Sequence, residues 1–259
     1  MAHTQRATCV VRGVQFGRGR PKIIVPLTDA HEAGLVAAAR RAADSAADLV
    51  EWRADRFAGR DDTGKVVAMI GRLRELVGER PLIFTVRTKH EGGDWDPLRD
   101  HYRDLIADSC ASGMIDLVDI QYLNPAAKRC LAAARAHRVP VLASNHDFSG
   151  TPAAAEIATR LEAMASFGAD ICKIAVMPRD AVDVANLLLA TATRVRTSRV
   201  PLITMAMGPL GAVTRLAGQV FGSCATYGTL GDAGSAPGQQ PLPEVLAGLE
   251  LIGRELPDR

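Results

Sequence analysis

Short apolar runs recur along the chain, and each is followed by a longer segment whose apolar residues return with helical spacing. KIIVPL (22–27) precedes an Ala-rich stretch over about 30–47, and DLVEWRAD (48–55) precedes a helical pattern around 62–77. PLIFTVRT (81–88) precedes a helix within 95–112. MIDLVDIQY (114–122) precedes NPAAKRCLAAARAH, where Pro125 suits a helix start. PVLASNHD (140–147) precedes TPAAAEIATRLEAMASFG, with Thr151 as N-cap, Pro152 in the first turn and Gly168 as terminator. ADICKIAVM (169–177) precedes a helix near 180–195, and PLITMAMG (201–208) precedes AVTRLAGQVFG. SCATYGTL (223–230) precedes a last helix near 243–255.

Repeated strand–helix units with short links predict a parallel sheet. Eight such units in 259 residues predict a single-domain (β/α)8 TIM barrel spanning 1–259. The rival, a doubly wound open sheet, is disfavoured because no G-x-G-x-x-G follows the first strand. The leading ATCVVRGVQFGRGRPK is expected to be a short N-terminal hairpin closing the barrel bottom, and its part RGVQFGRGRPK reads as a solvated basic turn.

Alternate strand residues share a face, and one face of a barrel strand points inward. Glu51, Arg53 and Asp55 therefore share a face, as do Thr85 with Arg87, Asp119 with Gln121, and Ser144 with His146. Ile171, Lys173 and Ala175 share another, and Met205 with Met207 another. The charged positions lie in the middle or C-terminal half of their strands, and barrel enzymes build their sites at that end. The expected mouth thus holds Glu51, Arg53, Arg87, His146 and Lys173. A structural ion-pair network is the competing reading for Glu51, Arg53 and Arg87 taken alone.

Charge and cysteine content narrow the partners. The net charge of +2, without a long basic block, gives no reason to expect nucleic acid or an anionic membrane. No run approaches a membrane span, and no apolar leader opens the chain. Five dispersed cysteines, none in a CxxC, read as reduced thiols, and the expected location is cytoplasmic.

Lys173 is one of only five lysines and interrupts an apolar strand. A desolvated lysine loses its proton more readily and attacks carbonyls to form Schiff bases. A histidine exchanges protons at neutral pH, so His146 fits removal of a proton made acidic by the imine. Nearby arginines suit an anionic substrate, carboxylate or phosphate. This chemistry alone leaves open an elimination enzyme, a class I aldolase, or a silent barrel acting as a binding module. Asp147 is a candidate to orient His146, with a loop or cap role as its alternative. His31, His90, His101 and His137 read as surface or satisfied residues, and Cys172 as packing.

EWRAD, FTVRTKHEGG, SNHDFSGTP, KIAVMP, RLAGQVFGSCATYG and SAPGQ occur in this order. Together they resemble the type I 3-dehydroquinate dehydratases, over nearly the whole chain from PKIIV to SAPGQ. The resemblance implies Lys173 as the Schiff-base lysine and His146 as the catalytic histidine. It implies Glu51, Arg53 and Arg87 as substrate-binding residues, and Arg215 for the substrate carboxylate. Ser235 and Gln239 fall in a loop closing over the substrate ring, and Glu91 looks like an acidic helper of the histidine. It further implies 3-dehydroquinate as the small-molecule substrate, no metal or dissociable cofactor, and a homodimer. The chain departs from the family pattern at Gln121, Pro26, Ala206 and Tyr227, where the family commonly has an acidic residue, Ser, Ser and Phe.

Overall fold

The computed structural model describes residues 6–96, 101–231 and 234–256. Part of the 95–112 helix expectation, and Asp232 and Ala233 of the late glycine-rich segment, lie outside the described residues.

Strands β1 (Cys9–Val11) and β2 (Val14–Phe16) pair antiparallel. Arg12 (φ 43°) and Gly13 (φ 79°) form the link, the positive-φ pair that a tight two-residue hairpin needs. The basic segment expected to be a solvated turn is therefore strand over Val14–Phe16. Val11 and Phe16 are apolar and are drawn into the barrel floor.

Eight parallel strands follow: β3 (Lys22–Leu27), β4 (Leu49–Arg53), β5 (Leu82–Thr85), β6 (Leu117–Gln121), β7 (Val141–Asp147), β8 (Ile171–Val176), β9 (Leu202–Ala206) and β10 (Ala225–Thr229). They are H-bonded in the order β10-β3-β4-β5-β6-β7-β8-β9. The ring closes where Leu202 bridges Ser223 and the Cys224 N–H donates to the Leu202 carbonyl at 2.8 Å. The outer helices are α1 (Glu32–Ala43), α2 (Thr63–Val77), α3 (Tyr102–Ala111), α4 (Ala127–Ala136), α5 (Ala154–Phe167), α6 (Ala181–Arg194), α7 (Ala212–Phe221) and α8 (Leu242–Gly253). A short strand β11 (Gln240–Pro241) extends the sheet beside the end of β10.

Local signals explain several helix ends. Asp62 caps α2 by accepting from the Lys65 N–H, and Asp180 caps α6 from the Asp183 N–H. Gly168 ends α5 in the left-handed conformation. Two expectations fail at helix starts. Thr151 is buried and caps nothing; the chain stays extended through Pro152, and the N-cap position falls on Ala153. At α4 it is Asn124 that orders the entry, its side chain accepting from the Ala126 N–H at 2.8 Å.

The strands sort their side chains into layers. Ile24, Leu49, Ile83, Leu117, Leu142, Ile171, Ile203 and Ala225 form an apolar floor with the hairpin's Val11 and Phe16. Two residues further along the strands come Glu51, Thr85, Asp119, Ser144, Lys173, Met205 and Tyr227, all buried. Two further still come Arg53, Arg87, His146, Ala175 and Met207, at the mouth. The intervening residues face the helices: Val50, Trp52 and Ala54 pack in one outer cluster, and Cys172, Ile174, Val176 and Ala206 in another.

Candidate active site

The mouth forms a pocket at the C-terminal ends of the strands. All eight residues expected from the sequence line it: Glu51, Arg53, Arg87, His146, Lys173, Arg215, Ser235 and Gln239. Glu91, Met205, Met207 and Tyr227 also line it.

Lys173 reaches this pocket because β8 alternates: Cys172 and Ile174 take the helix side, and the lysine takes the axis. Its Nζ donates to the Tyr227 hydroxyl at 2.8 Å and lies 3.8 Å from both Glu51 Oε1 and Asp119 Oδ2. Desolvation pulls its pKa below the ordinary lysine value against those two carboxylates, with Arg87 and Arg53 adding to the fall.

His146 stands one strand away, level with Ala175 of β8. Its Nδ1 lies 2.9 Å from Glu91 Oε2, and its backbone N–H donates to the same oxygen at 3.1 Å. Burial, then Arg87 and Lys173, push the imidazole well below its ordinary pKa, so the ring is neutral at neutral pH. Burial raises the Glu91 pKa against the pull of Arg87; as a carboxylate it accepts a hydrogen bond from Nδ1–H and leaves Nε2 as the basic nitrogen. Asp147, the orienting candidate from the sequence, does not touch the ring. Alternation turns it outward, where it holds Ser149 at 2.6 Å and Arg160 at 3.2 Å. Glu91 sits in the short 3-10 turn Lys89–Glu91 after β5. Gly93 lets that turn fold back: a Cβ there would meet the Arg87 carbonyl oxygen at 2.0 Å.

The three arginines differ. Arg53 makes a two-pronged pair with Asp55, both bonds 2.8 Å. Arg87 donates to Asp119 at 2.6 Å, to Glu91 at 3.2 Å and to Ser144 at 2.8 Å. Burial disfavours their charges, but these carboxylates more than compensate and hold both guanidinium pKa values above normal. Arg215 is as buried, at 1% exposure, yet no carboxylate lies in ion-pair range among the described residues. It donates only to Met205 Sδ at 3.5 Å and the Pro237 carbonyl at 3.2 Å, and its Nε has no partner. Desolvation pushes its pKa down to about 10. A buried cation held without a counter-ion is a ready anion site.

Ser235 and Gln239 tie their loop together. The Ser235 N–H donates to Gln239 Oε1 at 2.8 Å, and Gln239 Nε2 donates to Ser235 Oγ at 2.9 Å. Carbonyls of Ser235 and Pro237 accept from Arg53 and Arg215, which seats the loop over the mouth. Gly238 (φ 77°) runs so close to Gly208 that a Cβ would lie 2.3 Å from its carbonyl oxygen.

Of the departures, Gln121 lies away from the amine, bonded twice to Thr88 (2.7 Å to N, 2.9 Å to Oγ1), and Ala206 faces the helices. Tyr227 alone touches Lys173. Asp119 and Tyr227 were not among the expected site residues. Both were detectable, Asp119 as a charge inside an apolar strand and Tyr227 by its parity with Ala225.

A buried amine, a carboxylate-oriented imidazole and a buried arginine at the C-terminal mouth place this chain among the (β/α)8-barrel enzymes. The model of the type I 3-dehydroquinase family matches residues 23–255. A 3-dehydroquinate dehydratase of Listeria monocytogenes is 42% identical over 248 residues, covering 95% of this chain and 98% of that protein. The crystal structure of the 3-dehydroquinate dehydratase from Geobacillus kaustophilus is similar at a TM-score of 0.93 and 36% identity, covering 99% of this chain and 100% of that one. A type I 3-dehydroquinate dehydratase from Clostridium difficile, solved with covalently modified comenic acid, gives 0.92 and 35%, covering 97% and 100%. The chain belongs to the type I 3-dehydroquinase family.

Proposed function

We propose that the protein dehydrates 3-dehydroquinate to 3-dehydroshikimate, a carbon–oxygen lyase step of the shikimate pathway, through a Schiff base on Lys173. The observation that carries this reading is the pairing of a buried, pKa-depressed amine with a neutral imidazole backed by Glu91 in one pocket. The unpaired Arg215 supplies a seat for the substrate carboxylate. Neutral Lys173 attacks the C3 ketone, and loss of water gives the imine. Protonated, the imine withdraws electrons from C2, and His146 Nε2 removes the C2 proton to give an enamine. The enamine pair expels the C1 hydroxyl, which His146 protonates as it leaves. Water then hydrolyses the imine and frees the amine. Glu51, Arg53 and Arg87 bind and orient the ring, and Ser235 and Gln239 close over it.

The Clostridium difficile relative was solved with covalently modified comenic acid, which is in keeping with a nucleophile at this site. We place the enzyme in the cytoplasm as a homodimer, as the family resemblance implies. Free cysteines and exposed Val182, Leu189, Val213 and Val220 on the neighbouring helices α6 and α7 support that reading.

The test is incubation with 3-dehydroquinate and borohydride, followed by peptide mapping. A substrate-dependent mass adduct on Lys173, with ultraviolet absorbance from the conjugated product, is expected. No adduct and no absorbance would sink the proposal.

A further inference from the structure

The Tyr227 hydroxyl is bound at both ends by groups of the site. Lys173 Nζ donates to it at 2.8 Å, and it donates to Glu51 Oε1 at 3.3 Å. Glu51 Oε1 also accepts from Thr85 Oγ1 at 2.9 Å, which fixes the far end. The amine lies 4.3 Å from the tyrosine ring centroid, so the ring covers one side of it. All four side chains are buried, Tyr227 at 2% exposure, and Tyr227 lines the pocket with Lys173 and Glu51. This is a continuous chain of hydrogen bonds from the nucleophile to a carboxylate, made by a residue for which the dehydration mechanism above has no use.

Direction matters along that chain. The phenol proton is committed to Glu51, so the oxygen meets Lys173 with a lone pair. It accepts an N–H and donates nothing to the amine. The nitrogen lone pair is thereby left free for a carbonyl carbon. A water in the same place would rotate and compete for that lone pair.

We infer that Tyr227 is a further catalytic residue: it aims the Lys173 lone pair and relays a proton from Nζ to Glu51 as the carbinolamine forms. This rests on the Schiff-base reading. When Nζ bonds to the carbonyl carbon, the π pair becomes an alkoxide and the nitrogen becomes positive. One N–H proton passes to Tyr227 Oη while the phenol proton passes to Glu51. Glu51 hands its proton to the alkoxide. The result is a neutral carbinolamine, with phenol and carboxylate as they began, and nothing is oxidised or reduced. Hydrolysis runs the same relay backwards and turns the nitrogen into a better leaving group.

The test is Tyr227→Phe, which keeps the ring and its packing, studied by rapid quench into borohydride with 3-dehydroquinate. The rate of adduct formation on Lys173 is expected to fall by roughly hundredfold, the lower end of the usual range for losing a proton-transfer group. The solvent deuterium effect on that rate in the wild type is expected to vanish in the variant, which a packing role would not produce. Thermal melts establish that the variant folds. A normal adduct rate in folded Tyr227→Phe, or an unchanged solvent effect, overturns the relay while leaving the dehydratase intact. Absence of any adduct in the wild type overturns both.

Discussion

His146 Nδ1 and Glu91 Oε2 lie 2.9 Å apart, although 55 residues separate them in sequence. The same carboxylate oxygen accepts the His146 backbone N–H, so ring and backbone are fixed together. Glu91→Gln keeps the shape but can present an amide N–H to Nδ1, which stabilises the tautomer with its proton on Nε2. kcat is expected to fall by roughly 100-fold with KM little changed. Steady-state rates followed at the product's ultraviolet band measure this; an unchanged kcat would remove Glu91 from the mechanism.

The neutral His146 also sets a pH dependence of stability. Its folded pKa is depressed, so below the unfolded value of about 6.5 the unfolded chain binds the proton first. Stability is expected to decline as pH falls from about 6.5 towards the folded value, and to gain nothing from this group above that window. Melting temperatures from pH 7.5 to 5 measure the slope. His146→Asn should flatten it; an equally steep slope in the variant would contradict the assignment.

Arg215 trades stability for binding. Arg215→Met removes a buried cation that has no counter-ion among the described residues and fills the space with apolar volume. The melting temperature is expected to rise while KM rises about 100-fold, the loss of roughly 2–3 kcal/mol from a charge-assisted bond. A lower melting temperature with normal KM would show that Arg215 serves the fold instead.

Asp55 is the opposite case. It is fully buried, holds both prongs of Arg53, and accepts backbone N–H bonds from Arg87 and Asp94 at 3.1 Å each. Burial opposes its charge, but Arg53 and those donors keep its pKa below normal. Asp55→Ala is expected to cost about 3–5 kcal/mol, since it strands a buried arginine. Urea unfolding measures it; a loss under about 1 kcal/mol would mean that Arg53 finds another partner.

The barrel was legible from the chain because its signals are local. Period-2 alternation told Lys173 from Cys172, and Glu51 from Trp52, before any contact was known. Helix starts were read less well. Thr151 looks like a cap by residue type, but the backbone runs extended past it and its side chain is buried. For His146 the sequence left Asp147 open between an orienting and a loop or cap role, and the resemblance pointed to Glu91; alternation turns Asp147 to Ser149 and Arg160, and Glu91 meets the ring.

The sequence by itself determined which residues face the axis and which end of the barrel carries charge, because strand alternation and strand direction are properties of a single segment. Only the tertiary structure decided who meets whom across that axis. Glu91 reaches His146, Tyr227 joins Lys173 to Glu51, and Arg215 alone among the site arginines meets no carboxylate among the described residues. Those meetings depend on strand register, on ring closure between β9 and β10, and on loops folding back over the mouth, which no single segment encodes.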